Sequence, residues 1–175
     1  MTAYFPDDVF YDFLTHEVVR GTGANVTFSD VEFSDIPVHI RGGSVVPLRI
    51  KSAMTTTALR LKNFELVVAL GLDETASGRL YVDDGVSITQ KPGSVTDVGL
   101  TYKGGVLQVT GRTGAFTNNL KVDKVTFLGI KTRPKVVLFG GAKVEKSKVN
   151  YDEEKGELVV RVGKKLNDRF TLKLE

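Results

Sequence analysis

Leu100-Thr101-Tyr102-Lys103-Gly104-Gly105-Val106-Leu107-Gln108-Val109 joins two short β-type runs through a pair of glycines. Glycine reaches positive φ at no steric cost, and tight hairpins demand such angles, so the stretch reads as two antiparallel strands. The same reading applies where residues 152–156 separate Val149-Asn150-Tyr151 from Leu158-Val159-Val160. Working outward, β-type runs recur at 36–40, 44–50, 64–70, 79–82, 106–110, 124–128, 135–139, 157–162 and 170–174, with turn residues between them. Gly140-Gly141 and Pro134 punctuate the later part, and Asn167 belongs to another short turn. Regular short strands with frequent turn signals predict an all-β chain, here two small antiparallel β-sandwich domains. Asp73-Glu74-Thr75-Ala76-Ser77-Gly78 breaks the apolar pattern. It sets the expected boundary between residues 1–77 and 78–175.

One run is ambiguous. Phe64 to Gly71 is almost unbroken apolar sequence, compatible with a buried strand or a helical turn; the β-branched pair Val67-Val68 favours the strand. The 18 glycines leave little room for long helices.

With 175 residues, 41% of them hydrophobic, the chain can bury a core in one domain or divide it between two. No apolar run approaches the roughly 20 residues of a spanning helix, so no membrane partner is expected. Cysteine is absent, which excludes disulfides, thiolate metal sites and cysteine nucleophiles. The segment Met1-Thr2-Ala3-Tyr4-Phe5-Pro6 lacks the basic and apolar regions of a secretory signal. The net charge of +3 arises in the C-terminal third, where residues 121–175 carry 14 basic side chains against 8 acidic ones. In Lys143-Val144-Glu145-Lys146-Ser147-Lys148-Val149 those charges alternate with apolar and acidic residues. That is the pattern of a solvated sheet face, and no nucleic-acid partner is expected.

Asp83-Asp84-Gly85 follows Leu80-Tyr81-Val82, where an acidic turn is a better reading than a catalytic or cation-binding pair, since neighbouring residues of an extended chain point to opposite sides. Asp7-Asp8, after Phe5-Pro6, and Glu153-Glu154, in the later hairpin, read as turns, which proline and turn-forming acids explain without catalysis. His16 and His39 are the only imidazoles and cannot build a four-ligand zinc site. His39 alternates with Val38 and Ile40 and should face away from them as a packed or hydrogen-bonded side chain. Gly21-Thr22-Gly23 lacks the third glycine and the strand-to-helix context of a dinucleotide fingerprint. In Arg41-Gly42-Gly43 the glycines permit a tight bend, and Arg41 is placed to pair with a carboxylate across a domain contact. Asn25-Val26-Thr27 is an N-glycosylation sequon, whose use requires the secretory pathway. An independent carbohydrate-binding module would need an exposed row of aromatics. There is no Trp, and the 5 Tyr and 10 Phe are better assigned to core.

Several segments, in order, resemble the C-terminal region of glycoside hydrolase family 31, particularly fungal-type α-glucosidases. Ala3-Tyr4-Phe5-Pro6, Phe10-Tyr11-Asp12 and Thr15 resemble the segment after that family's barrel. Ile36-Pro37-Val38-His39-Ile40-Arg41-Gly42-Gly43-Ser44-Val45-Val46-Pro47-Leu48 resembles its proximal sheet most specifically. Thr57-Ala58-Leu59-Arg60, Phe64-Glu65-Leu66-Val67-Val68-Ala69-Leu70 and Gly78-Arg79-Leu80-Tyr81-Val82-Asp83-Asp84-Gly85-Val86-Ser87 follow. Beyond Thr89 the likeness narrows to 124–129. Phe10 stands where the family usually has Trp, and His16 where it often has Gly. The resemblance implies a parent α-glucosidase of retaining mechanism that removes terminal α-linked glucose from oligosaccharides, with both catalytic carboxylates in a β/α barrel outside this chain. It implies proximal (1–77) and distal (78–175) β domains that support the barrel, in the same polypeptide or as a separate subunit. It also implies secretion, and no catalytic residue, metal or cofactor within these residues. The barrel is the expected partner, an oligosaccharide the second.

Overall fold

A computed structural model describes residues 1–29, 31–91, 93–112, 114, 120–166 and 169–175, with the side chain of Arg112 left aside. Asn167 lies outside the described residues. The chain is mostly strand: β1 (Thr2–Phe5), β2 (Val9–Asp12), β3 (Val18–Arg20), β4 (Ala24–Thr27), β5 (His39–Arg41), β6 (Ser44–Arg49), then a single helical turn and a half, α1 (Thr56–Arg60), and β7 (Phe64–Ala69). There follow β8 (Ala76–Val82), β9 (Thr96–Lys103), β10 (Val106–Arg112), β11 (Lys121–Leu128), β12 (Val137–Phe139), β13 (Ala142–Lys143), β14 (Val149–Asp152), β15 (Glu157–Lys165) and β16 (Phe170–Leu174).

The expectation of a β chain holds, but the two separate antiparallel sandwiches are replaced by a different arrangement. One mixed eleven-stranded sheet runs β13-β12-β16-β10-β9-β8-β6-β7-β11-β15-β14, beside a two-stranded ribbon β1-β4 and a three-stranded sheet β3-β2-β5. Its two arms meet at β6 and β8, which run parallel and share one registered pair, Ser44 with Ser77. The strands can approach there because Gly78 has no side chain: a Cβ would lie 2.0 Å from the carbonyl oxygen of Val45. Curled about this junction, both arms contribute to one main core, including Leu66 and Val125 from one arm and Leu100 and Leu172 from the other. The core therefore joins residues from both sides of position 77.

The expected hairpins formed: β9 pairs with β10 around Gly104-Gly105, both at positive φ, and β14 with β15. The apolar run at 64–70 is a strand, and its lack of alternation has a packing cause. Phe64, Leu66 and Val68 enter the main core, whereas Val67 and Ala69 point to a second cluster with Val9, Tyr11, Ile40 and Leu128. A strand covered on both faces needs apolar residues at every position. Its parallel neighbour β11 does the same, directing Val125 and Phe127 one way and Leu128 the other.

Candidate functional site

The chemistry-bearing residues of the N-terminal part serve a stack of thin layers. The sheet β3-β2-β5 lies over the outer face of β7 and β11, and its alternation sends Val9, Tyr11 and Ile40 down into the second cluster. On its opposite side Phe10 and His39 meet Phe5: the Phe5 ring lies edge-on to Phe10 at 4.9 Å and to His39 at 5.0 Å, with Phe28 beside both Phe5 and His39. His39 thus faces away from Ile40, as its alternation predicts, and is a packed aromatic. Gly42 turns the chain from β5 into β6; a Cβ there would lie 2.4 Å from Val9 and 2.7 Å from the Leu70 oxygen. Gly43 adopts φ +85, so the bend depends on both glycines.

Asp83 and Asp84 form turns. Asp83 accepts the Gly85 N–H at 2.8 Å, and Arg60 of α1 donates to the Asp83 carbonyl at 3.0 Å. Asp84 accepts the Val86 and Ser87 N–H groups at 3.0 and 2.9 Å, together with the Ser87 hydroxyl and the Gln90 amide. The Ser87 hydroxyl, then these N–H donors, hold its carboxyl far below the ordinary carboxylate range. A carboxylate so fully engaged as an acceptor is a poor proton donor or acceptor at neutral pH.

The other acids have equally local work. Asp7 meets Arg20 at 2.5 Å, and Asp8 meets Arg41 at 2.8 Å. The Val9 N–H, and then Arg41, hold the Asp8 carboxyl low. Arg41 therefore has a carboxylate partner within this chain, yet its side chain stays 65% exposed. Glu153 and Glu154 sit in the β14–β15 turn, where Asp152 accepts the N–H groups of Glu154 and Lys155. Gly21 packs under the Pro6 carbonyl, which a Cβ would approach to 2.0 Å, so Gly21-Thr22-Gly23 is a structural loop. Asn25 stands exposed on β4. His16, at φ +61, hydrogen-bonds Glu157 at 2.8 Å.

A groove of about 640 Å³ is lined by Leu70, Asp73, Glu74, Tyr102, Lys131 and Glu175 among others. Its carboxylates are exposed and engaged: Asp73 by Thr75, Glu74 by Lys131 and Glu175 by Lys173. Among the described residues, no group of three or more His, Asp or Glu side chains is placed to hold a metal ion. Among the described residues, the exposed aromatics Tyr4, Phe33 and Tyr81 lie on three separate elements: β1, the loop before β5, and β8. What the surface does offer is an apolar segment: Phe33 and Ile36, with half-exposed Val38, project from the β4–β5 loop, and Leu14 is exposed beside it, where Phe13 N–H bonds the Val38 carbonyl.

Two groups escaped sequence reading. Tyr11 donates its hydroxyl to the Leu70 carbonyl at 2.8 Å, in space that Gly129 leaves open. Glu65 accepts from both Thr126, at 2.8 Å, and Lys124, at 2.9 Å, across the parallel β7–β11 pair. Neither pairing has a local signal, because each joins residues about 60 positions apart.

These features define a β-rich region, with no β/α barrel among the described residues. Residues 1–46 match the profile "Glycosyl hydrolase family 31 C-terminal domain". The chain belongs to the C-terminal region of that family. It is 55% identical over 127 residues to the "Probable alpha/beta-glucosidase agdC" of Aspergillus fumigatus, covering 73% of this chain and 14% of that protein. The corresponding protein of Aspergillus clavatus is 45% identical over 95% of this chain and 18% of its own length. The "Alpha-glucosidase" of Schizosaccharomyces pombe is 37% identical over 89% of this chain and 16% of its own length. Among solved structures, a glucosidase II alpha subunit superposes with a TM-score of 0.81 at 23% identity, over all of this chain and 21% of that one. A Flavobacterium johnsoniae dextranase gives 0.69 at 18% identity, over 99% of this chain and 24% of that one. The chain thus spans about a seventh of the length of the A. fumigatus protein.

Proposed function

We propose that this chain is the non-catalytic C-terminal region of an α-glucosidase that removes terminal α-linked glucose from oligosaccharides, and that it buttresses a catalytic β/α barrel in the same polypeptide or a separate subunit. The observation that carries this reading is the solvent-facing apolar segment Phe33, Ile36 and Val38, inside the family-matched residues. Burying each large side chain there would contribute about 1.5–3 kcal/mol, enough for a few of them to hold two domains together. Arg41, exposed at the end of β5, is a second contact to the barrel, in addition to its pairing with Asp8. In the parent, residues 1–77 act as the proximal part and 78–175 as the distal part, and the sequon at Asn25 fits a secreted protein.

The test has two parts. The chain alone, incubated with maltose or an aryl α-glucoside, should release no glucose; measurable turnover rejects the scaffold role. In the parent enzyme, Phe33→Glu with Ile36→Glu should lower the barrel's melting temperature and yield of activity together. A parent unaffected by both substitutions would place the barrel contact elsewhere and remove the support for this reading.

A further inference from the structure

The ribbon β1–β4 has an inner and an outer face. Ala3 and Phe5 pair with Val26 and Ala24, and Phe5 is buried against the aromatic layer. The intervening positions face out: Thr2 pairs with Thr27 and Tyr4 with Asn25, and all four are exposed. The whole sequon is therefore displayed on one face. Asn25 and Thr27 lie two residues apart on an extended strand, so their side chains share a side. The Thr27 and Thr2 hydroxyls lie 3.1 Å apart.

A sequon displayed on a ribbon can be a chance triplet. Tyr4 distinguishes this one. It stands directly opposite Asn25 in the register and is 63% exposed. Side chains directly opposite one another in an antiparallel pair have Cβ atoms about 4.5–5.5 Å apart, within reach of the first sugar linked to an asparagine. The ring extends across the ribbon towards Gly23, where a Cβ would lie 3.7 Å from the Tyr4 hydroxyl. An N-acetylglucosamine ring has an apolar C–H face that an aromatic face covers favourably, for the reason aromatic rings gather at wet apolar boundaries. We infer that Asn25 is an N-glycosylation site and that Tyr4 is the stacking platform for the first N-acetylglucosamine of its glycan.

The inference shares the secretory reading given above but not the barrel contact, and the test supplies the secretory route itself. The chain is secreted from yeast behind a leader peptide, as wild type, Asn25→Gln, Tyr4→Ala, Tyr4→Phe and the Tyr4→Ala/Asn25→Gln double variant. Peptide mass after endoglycosidase trimming reads occupancy in secreted or retained material, whether or not a variant folds. Wild type should carry one N-acetylglucosamine at Asn25 and should melt about 2–4 °C above Asn25→Gln, the shift expected for a modest contact in a domain this size. The glycan-dependent increment should vanish in the Tyr4→Ala background and persist in Tyr4→Phe. An unmodified Asn25 overturns the site. A modified Asn25 whose increment is equal in wild type and Tyr4→Ala overturns the stacking role of Tyr4.

Discussion

The Tyr11 hydroxyl donates a 2.8 Å hydrogen bond to the carbonyl of Leu70, fastening the middle of β2 to the residue just beyond β7. This bond ties the layer that carries the family-matched N-terminal residues to the sheet that encloses the main core. Gly129 is part of the same joint, since at φ +89 it leaves the space in which a Cβ would lie 2.2 Å from that hydroxyl. Tyr11→Phe keeps the ring and removes the donor, leaving a buried carbonyl short of a partner. Urea unfolding should show a loss of about 1–3 kcal/mol.

Burial also pushes the Tyr11 phenol up to about 12. Because the folded value lies above the unfolded value of about 10, this group's contribution is complete below pH 10 and is lost as pH rises towards 12. Alkaline titration followed by circular dichroism should show stability falling across that window. The part due to Tyr11 should be absent from Tyr11→Phe.

His16 combines a left-handed backbone at φ +61 with a 2.8 Å bond to Glu157 that links the β2–β3 turn to β15. The two effects separate by substitution. His16→Ala keeps the strained φ and loses the bond, so it should be the least stable. His16→Gly loses the bond but removes a strain of about 1–2 kcal/mol. Chemical denaturation should therefore rank His16→Gly above His16→Ala, and equal stabilities would show that the strain is no larger than glycine's added entropy cost of about 0.5–1 kcal/mol.

Gly78 governs the junction of the two arms. Gly78→Ala places a methyl group against the Val45 backbone, which cannot rotate away, and should cost about 1–3 kcal/mol by overpacking. Gly104→Asn, at φ +56 with open space around it, should be nearly neutral, because Asn tolerates that conformation and meets nothing. Melting temperatures of the two variants provide the comparison.

Acid should unfold the chain through its turn carboxylates. Burial raises the Asp12 value, but the N–H groups of Thr15 and Leu14, with the Thr15 hydroxyl and His39, together outweigh it and hold the carboxyl below its usual range. Asp8, Asp73 and Asp84 are lowered as well, chiefly by Val9, Thr75 and Ser87 respectively. Folded values below the unfolded one of about 3.9 give stability that is present above that pH and lost as pH falls through the folded values. Urea midpoints measured from pH 6 to pH 2 should stay level and then drop below about pH 4. Asp12→Asn should reduce the drop.

Local signals were legible where the chain alone supplies the physics. Gly104-Gly105 fixed a hairpin because positive φ is nearly free only for glycine. The 36–48 motif marked the family, and alternation correctly turned His39 away from Ile40. The short strands β1 to β4 were not read as strands, since three or four residues are too few to display a period of two. α1 likewise has too few residues for helical periodicity; its sign was Thr55, whose hydroxyl caps the Ala58 N–H at 3.2 Å.

By itself the sequence determined that this is a β-rich chain from the C-terminal region of family 31, with Asp83-Asp84 and Glu153-Glu154 in turns and its hairpins at the glycines. Only the tertiary structure decided that one curled sheet and one main core join the two halves, that β7 and β11 lie parallel, and that Tyr11 reaches Leu70. Parallel pairing and cross-layer bonds unite residues far apart in the chain, so no turn or period encodes them. They are fixed when both faces of a strand such as β7 are buried together.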